Sequence, residues 1–470
     1  MKTYDYVILG GGSAGYAAAR TAVGLGMETA VIEGGEPMGG LCILRGCMPS
    51  KTLIESANRA LSIRHARDFG LRAEDYQVHP KEVRDRKRAL IADFAGYRQE
   101  QLQSGKFDLV RGRGTFLDEH RLRVAPLDGS PAWVMGARAV LIATGSRPRL
   151  LEIPGLEEVG YWLSDDVLDA EVYPERIAIL GGGAIALEMA HFFDGIGKEV
   201  SLIQRSPRFL REFDPEISEA LLESFRERGM QVFSGTTLQG FEKTEGGKKV
   251  IFEQAAERKE IEVDEILLSV GRLPESRGLQ MEAAGLAMNS HWVQTGPDQR
   301  TGRAHVFAAG DVCGPLEVVH LAIEQAERAT RNAARQLGKL GGEAEEMSYR
   351  LKLFGIFTSP EMALVGRSEE EARDEGIPVV AARYPFDDHG KSLVMGETSG
   401  MVKLIAHRET GEILGGQVVG PHGVELIHEI VVAMRFRATA QQLATTPHYH
   451  PTLAEIWTYP AEELAEATQG

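Results

Sequence analysis

One glycine-rich pattern occurs twice in the chain, and it limits what the rest can fold into. Residues 4–33 (YDYVILGGGSAGYAAARTAVGLGMETAVIE) and residues 175–204 (ERIAILGGGAIALEMAHFFDGIGKEVSLIQ) follow the same order. Each has a short β-rich apolar run, a glycine turn, an alanine-rich stretch at helical spacing, a glycine-containing break and a second β run. The glycine clusters start at Gly10 and Gly181. A strand turning through glycine into a helix is the βαβ unit that seats a dinucleotide pyrophosphate. Two such units imply two nucleotide-bearing cofactors.

In Gly10-x-Gly12-x-x-Gly15 the first glycine makes a tight turn, the second admits a pyrophosphate, and the third lets helix pack on strand. Glu33, 18 residues past Gly15 at the end of the second β run, is placed to accept a ribose hydroxyl. In the second copy, Gly181-x-Gly183-x-x-Ala186, the β run ends in Gln204-Arg205, with Arg211 six residues further on. An acidic side chain there would repel a 2′-phosphate, whereas guanidinium forks suit one. The pattern favours NADPH over NADH; the competing reading makes Arg205 and Arg211 solvated surface charges.

With 470 residues the chain fits roughly three domains. A hydrophobic content of 43% with 26% charged residues is that of a soluble globular protein. Its net charge of −16 argues against a surface built for nucleic acid or anionic lipid. The apolar run at the N-terminus is about four residues, short of the roughly 7–15 of a secretory leader. No stretch approaches the roughly 18 apolar residues of a membrane span. The expected location is cytoplasmic, where thiols stay reduced, with neither nucleic acid nor membrane as partner.

Between the two units, residues 51–105 are helical and charge-rich, and residues 121–148 alternate like antiparallel strands. A similar alternating passage, 248–275, follows the second unit, and 305–314 reads as a buried strand ending in a Gly-Asp turn. From about residue 346 no nucleotide signature appears; strand patterns such as MVKLIAH alternate with helical ones such as GVELIHEIVVAMRF, which suggests a separate α+β domain.

Two of the three cysteines stand in GGLCILRGCMPSK, as Cys42 and Cys47. Cys47 precedes a helical pattern with Pro49 in its first turn. A thiol at a helix N-terminus, with Arg45 and Lys51 nearby in sequence, acquires thiolate character. A metal site is a poor reading because tetrahedral zinc needs about four ligands and no His or third Cys is near. Inert buried cysteines are the other alternative; a redox dithiol is favoured. Near the C-terminus, TTPHYHPTLAEIW holds His448, His450 and Glu455. A carboxylate five residues past a histidine can fix its tautomer and raise its basicity, although a surface loop with incidental histidines fits the same letters.

Taken in order, these motifs resemble the flavin-dependent pyridine nucleotide–disulfide oxidoreductases along essentially the whole chain. That group includes glutathione reductase, dihydrolipoamide dehydrogenase and mercuric reductase. GGLCILRGCMPSK matches the redox-active motif, ATGSRP (143–148) and AAGDV (308–312) match two flavin-site signatures, and HYHPTLAE matches the C-terminal histidine motif in its dihydrolipoamide dehydrogenase form. The resemblance implies an α/β fold with two Rossmann-like dinucleotide-binding domains and a C-terminal α+β dimerisation domain. FAD would take 1–147 with 271–345, NAD(P)H would take 148–270, and 346–470 would form the dimer interface. FAD would bind at Gly10, Gly12, Gly15 and Glu33, at Thr144 and Gly145 of ATGSRP, and at Asp311, with Gly114 near the adenine. Lys51 would lie against the flavin and pair with Glu188. Cys47 would face the flavin and Cys42 the substrate, a small-molecule disulfide or dithiol. His450, paired with Glu455, would act as acid–base in the partner's active site, which implies a homodimer.

Three positions depart from the pattern. Gln204 stands where lipoamide-oxidising relatives carry an acidic residue, Arg45 lies inside the redox loop, and Cys313 reads as a small buried apolar residue. A mercuric-type reductase is a rival reading, opposed by a C-terminus, AEELAEATQG, that lacks a cysteine pair. A non-enzymatic flavin redox sensor is another, opposed by the intact set Cys42, Cys47, His450 and Glu455.

Overall fold

The computed structural model describes residues 1–73, 75–287 and 292–468. They divide into two compact units, one of residues 1–50, 85–149 and 271–348, the other of 51–84, 150–270 and 349–470.

In the first unit, strand Thr3–Leu9 is flanked in parallel by Thr29–Glu33 and Trp133–Ile142, with Leu9 level with Ile32 and Ile142. Asp108–Phe116 and Val306–Ala308 extend this sheet in parallel, and Arg121–Pro126 bridges Asp108–Phe116 and Trp133–Ile142 in antiparallel fashion. Helices cover these strands, so they read as continuous apolar runs rather than alternating ones. Helix Ser13–Gly24 packs through Ala14, Ala18 and Ala22 in one core with Ala322, Ala326 and Ala329 of helix Val319–Gln336. Small side chains allow that close approach. At Gly15 it is obligatory, because a Cβ there would stand 1.8 Å from the Gly10 carbonyl oxygen.

The second unit repeats the motif in a four-stranded parallel sheet, ordered Glu265–Leu268, Arg176–Leu180, Glu199–Ile203, Gln231–Phe233. Helix Ala184–Gly195 follows the glycine turn and is buried along nearly its whole length. Ala186, at the position matching Gly15, keeps its Cβ in the core, so this turn accommodates a methyl. An antiparallel meander, Thr236–Thr244 to Glu257–Val263, follows. Residues beyond 349 form a five-stranded antiparallel sheet with helices Gly423–Arg435 and Thr458–Ala467, closed by the fully buried Trp457.

The α/β class and the C-terminal α+β region therefore stand, the latter grouped with residues 51–84 and 150–270 in one unit. Two local details differ from the sequence reading. Trp133–Ile142, expected as antiparallel, pairs so with Arg121–Pro126 but takes Thr3–Leu9 and Val306–Ala308 as parallel neighbours, and Glu265–Leu268 takes a parallel one. Their apolar ends, AVLI and EILL, are buried on both faces, and burial outweighs the alternation that precedes them.

Candidate functional site

At the first glycine turn the Glu33 carboxylate is 8% exposed and held by backbone amides. Gly11 N donates to Oε2 at 2.5 Å and Gly35 N donates to Oε1. Arg111, level with Glu33 on the neighbouring strand, donates to the Gly35 carbonyl at 2.7 Å, and its Nη1 is buried without a hydrogen-bond partner. Gly12 is the N-cap of helix Ser13–Gly24, and no side chain caps the amides there. A carboxylate at the strand end and a helix N-terminus left open fit the adenosine and pyrophosphate of FAD. Gly114 packs in the core, where a Cβ would stand 2.7 Å from Leu9.

In the same unit, Thr144 Oγ1 donates to the Glu275 carbonyl at 2.5 Å. Gly145 takes φ +76° beside open space. Ser146 Oγ donates to Asp311 Oδ2 at 2.6 Å, and Arg272 holds Ser146 through its Oγ at 2.7 Å and its carbonyl at 2.9 Å. Asp311 is thus fixed by a hydroxyl that an arginine fixes in turn. Burial, then the Asp311 charge, pushes the Cys313 thiol up to about 12, which makes it inert.

Gly40 lies against Gly12, a Cβ on it falling 2.6 Å from the Gly12 Cα, and it is the N-cap of the short helix Leu41–Leu44 that carries Cys42. Cys47 opens helix Cys47–Arg64, at the positive end of an 18-residue dipole. Arg45 is exposed at the end of the short helix. Arg98 sits over the Tyr16 ring at 4.5 Å; burial holds it below the usual guanidinium range, opposed by Tyr16 and then by Cys42.

In the second unit, Lys51 Nζ contacts both Glu188 oxygens at 2.8 Å and stands 4.8 Å from the centre of the Phe357 ring. Glu188 also accepts from Phe357 N at 3.1 Å. Further along the same two helices, His191 bonds Asn58 at 2.7 Å and Arg64 donates to the carbonyls of Asp194 and Gly195 at 2.6 and 3.1 Å.

Gly183 is the N-cap of helix Ala184–Gly195, again with no side-chain cap, and Gly181 takes φ +134° against the Ser269 carbonyl. Gln204 packs on the turn, its amide carbon 2.8 Å from where a Gly182 Cβ would be. Arg205 and Arg211 are exposed, and Arg211 donates to Ser206 Oγ at 2.7 Å. Among the described residues neither has a carboxylate at ion-pair distance, whereas Arg208 between them pairs with Glu370 at 2.6 Å.

His450 Nδ1 lies 3.0 Å from Glu455 Oε1, with His450 80% exposed and Glu455 18%. Thr452 N donates to Glu455 Oε2 at 2.8 Å. This backbone bond and, with it, His450 hold the Glu455 carboxyl below its usual range. His448 is engaged elsewhere, by Glu429 at 2.7 Å and the Thr446 carbonyl at 2.8 Å.

The sequence reading missed His191 with its Asn58 and Arg228 neighbours, and also His389. None belongs to a motif, and the partners of His191 lie far along the chain. The one available signal was polar residues in otherwise apolar helical or loop surroundings.

A family model described as pyridine nucleotide-disulphide oxidoreductase matches residues 4–331, and one for the dimerisation domain of that group matches residues 354–461. A dihydrolipoyl dehydrogenase of Chlamydia trachomatis serovar D is 34% identical over 461 residues, 97% of this chain and 96% of the relative. That of Geobacillus stearothermophilus is 31% identical over 468 residues, 99% and 96% respectively. The crystal structure of LpdA from Mycobacterium tuberculosis superposes with a TM-score of 0.86 at 27% identity, covering 99% of this chain and all of that one. RclA of Escherichia coli, an HOCl-induced flavoprotein disulfide reductase, shares the fold with a TM-score of 0.83 at 24% identity, covering 98% of this chain and 99% of that one.

Proposed function

The chain belongs to the pyridine nucleotide-disulphide oxidoreductases, and we propose that it carries electron pairs from NADPH, in preference to NADH, to a small-molecule disulfide through Cys42 and Cys47. It is an FAD-dependent oxidoreductase of the dihydrolipoamide dehydrogenase-like kind, with FAD and a pyridine nucleotide as cofactors. The observation that carries the reading is one helix, Cys47–Arg64, which presents a cysteine at its N-terminus and, one turn on, the lysine that pairs with Glu188 of the second glycine unit.

Bound FAD would supply the relay of an electron pair between the nicotinamide and the cysteine pair. Gly10, Gly12, Gly15 and Glu33 would hold its adenosine and pyrophosphate, with Gly114 near the adenine; Thr144, Gly145 and Asp311 would hold the chain toward the ring. Gly181, Gly183 and Ala186 would seat the nicotinamide dinucleotide. The neutral Gln204 with the exposed pair Arg205 and Arg211 supports the 2′-phosphate of NADPH. Lys51 would be fixed by Glu188 and keep a cation beside the flavin.

Once the pair is reduced, the Cys42 thiolate attacks one sulfur of the substrate. The substrate S–S bond breaks, a mixed disulfide forms, and the departing thiolate takes a proton from the partner subunit's His450. Cys47, kept as thiolate by its helix N-terminus, then attacks Cys42 Sγ, closing the Cys42–Cys47 disulfide and releasing the second thiolate of the substrate. Two electrons leave the cysteine pair and two enter the substrate; in reverse, the same residues oxidise a dithiol. The match of residues 354–461 to a dimerisation domain, with Tyr449 83% and Phe436 80% exposed, supports a homodimer. The three-part division at 1–147 with 271–345, 148–270 and 346–470 belongs to the same proposal.

Alkylation tests the division of labour between the cysteines. The NADPH-reduced protein treated with iodoacetamide carries the label on Cys42 by peptide mass spectrometry; predominant labelling of Cys47 would reverse the assignment.

A further inference from the structure

Residues 205–213 join strand Glu199–Ile203 to helix Pro215–Glu227 and carry both Arg205 and Arg211. The segment forms neither helix nor strand, yet it is pinned along its length. Gly235 N donates to the Ser206 carbonyl at 3.0 Å, and Leu210 N donates at 3.2 Å to the carbonyl of Gly182 in the glycine turn. Leu210 takes φ +45°, a left-handed backbone that a leucine keeps only where its surroundings impose it. Here the imposing force is burial, since Phe209, Leu210 and Phe213 all lie in the core.

The far end is fastened to the C-terminal α+β region of the same unit. Asp214 is the N-cap of helix Pro215–Glu227, where an aspartate ordinarily accepts from amides of its own helix. It makes no such bond. Its carboxylate accepts instead from Gln417 Nε2 at 2.8 Å and from the Glu369 and Glu370 amides at 3.0 and 3.2 Å, while its own N–H donates to Gln417 Oε1 at 2.9 Å. Lys403, directly across the ladder from Gln417, pairs with the same carboxylate at 2.8 Å. Asp214, Lys403 and Gln417 are buried, so this end cannot shift without stranding charge.

Arg208 closes the segment from the other side. Its Nη1 lies 2.6 Å from Glu370 Oε2, on the residue whose amide also holds Asp214. Its Nη2 donates to the carbonyl of Phe213 and, at 3.4 Å, to that of Arg211. One planar guanidinium thus ties the backbone that carries Arg211 to a carboxylate of the C-terminal region. Arg211 in turn donates to Ser206 Oγ at 2.7 Å, which brings its guanidinium to the Arg205 end of the segment. We propose that Arg208 is a positioning residue for nucleotide specificity: clamped by Glu370, it fixes the backbone of Arg211 so that Arg205 and Arg211 are preset for the 2′-phosphate of NADPH. The inference rests on the reading of those two arginines as the phosphate-binding pair. Presetting lowers the cost of ordering long side chains when the phosphate arrives.

A double-mutant cycle on the full-length, FAD-loaded protein, read by calorimetric titration with NADP⁺ and NAD⁺, separates positioning from direct contact. Arg208→Ala should weaken NADP⁺ roughly fivefold, within the range of coupled neighbours, and leave NAD⁺ at the parent affinity. In an Arg211→Gln background the same change should weaken NADP⁺ no further, because the side chain to be positioned is gone. Parent-like NADP⁺ binding in Arg208→Ala overturns the proposal. Equal weakening of both nucleotides does so too, since it marks a merely structural loss. A full effect that persists beside Arg211→Gln would make Arg208 a phosphate ligand itself and is equally fatal. Should Arg208→Ala fail to fold, Glu370→Ala releases the clamp from its other side. It should weaken NADP⁺ about twofold although it removes a negative charge, the opposite of what charge alone predicts; unchanged or tighter binding contradicts the proposal. A parent that binds both nucleotides equally, with NADP⁺ indifferent to the double change Arg205→Gln, Arg211→Gln, would instead remove the phosphate-binding pair on which the inference stands.

Discussion

Lys51 and Glu188 form a two-point ion pair, one ammonium 2.8 Å from both oxygens of a carboxylate whose side chain is only 5% exposed. The two ends of the pair differ in environment, since the Lys51 side chain is 31% exposed and can turn to water. Removing the lysine strands a buried negative charge that keeps only the Phe357 amide. Lys51→Met should therefore destabilise the fold by about 3 kcal/mol, the order found when one partner of a buried pair is deleted. Glu188→Gln should cost clearly less. Urea unfolding of both variants measures the asymmetry, and equal losses would mean that the pair acts as a surface contact.

The proposed preference for NADPH rests on Arg205 and Arg211, exposed and without carboxylate partners among the described residues. A charge-assisted bond is worth roughly 1.5–3 kcal/mol. The double variant Arg205→Gln, Arg211→Gln should then raise KM for NADPH roughly tenfold or more and leave KM for NADH near its starting value. Equal change for the two nucleotides would return both arginines to the role of solvated surface charges.

Acid sensitivity should come partly from His191. Burial first, then Arg228 and Arg64, hold this histidine down at about 3, against an ordinary value of 6.5. Below pH 6.5 the unfolded chain binds a proton that the folded one refuses, so stability falls as pH drops from 6.5 toward 3. Between pH 6.5 and pH 5 the loss amounts to about 2 kcal/mol. His191→Gln removes it, and the variant's stability should fall less than the parent's across that window in urea titrations. Parallel curves would contradict the assignment.

What could be read from the letters was whatever repeats or keeps a fixed spacing. The twin glycine turns, the helix opening at Cys47 and the α+β C-terminal domain all follow from local pattern, and all are present in the fold. The pairs Lys51–Glu188 and His450–Glu455 were named through the family resemblance, and both are in contact. Long-range polar packing was not legible. Lys403, 1% exposed, is held by Asp214 at 2.8 Å and by Glu216 and Glu369 at 2.7 Å. Nothing in MVKLIAH separates that lysine from a solvated strand residue, because its three carboxylates lie far away along the chain. The strands Trp133–Ile142 and Glu265–Leu268 show the complementary failure, since burial on a second face is invisible in a single strand's alternation.

Anaerobic titration of the FAD-loaded protein with NADPH tests most directly whether Cys47 and the flavin form one redox centre. In the parent, one equivalent, two electrons, should produce a long-wavelength thiolate–flavin absorption band; Cys42→Ser should show that band before any NADPH is added, and Cys47→Ser should show none. Bleaching of the flavin without the band in the parent, or a band that survives Cys47→Ser, would contradict the reading of Cys47 as the thiol beside the flavin.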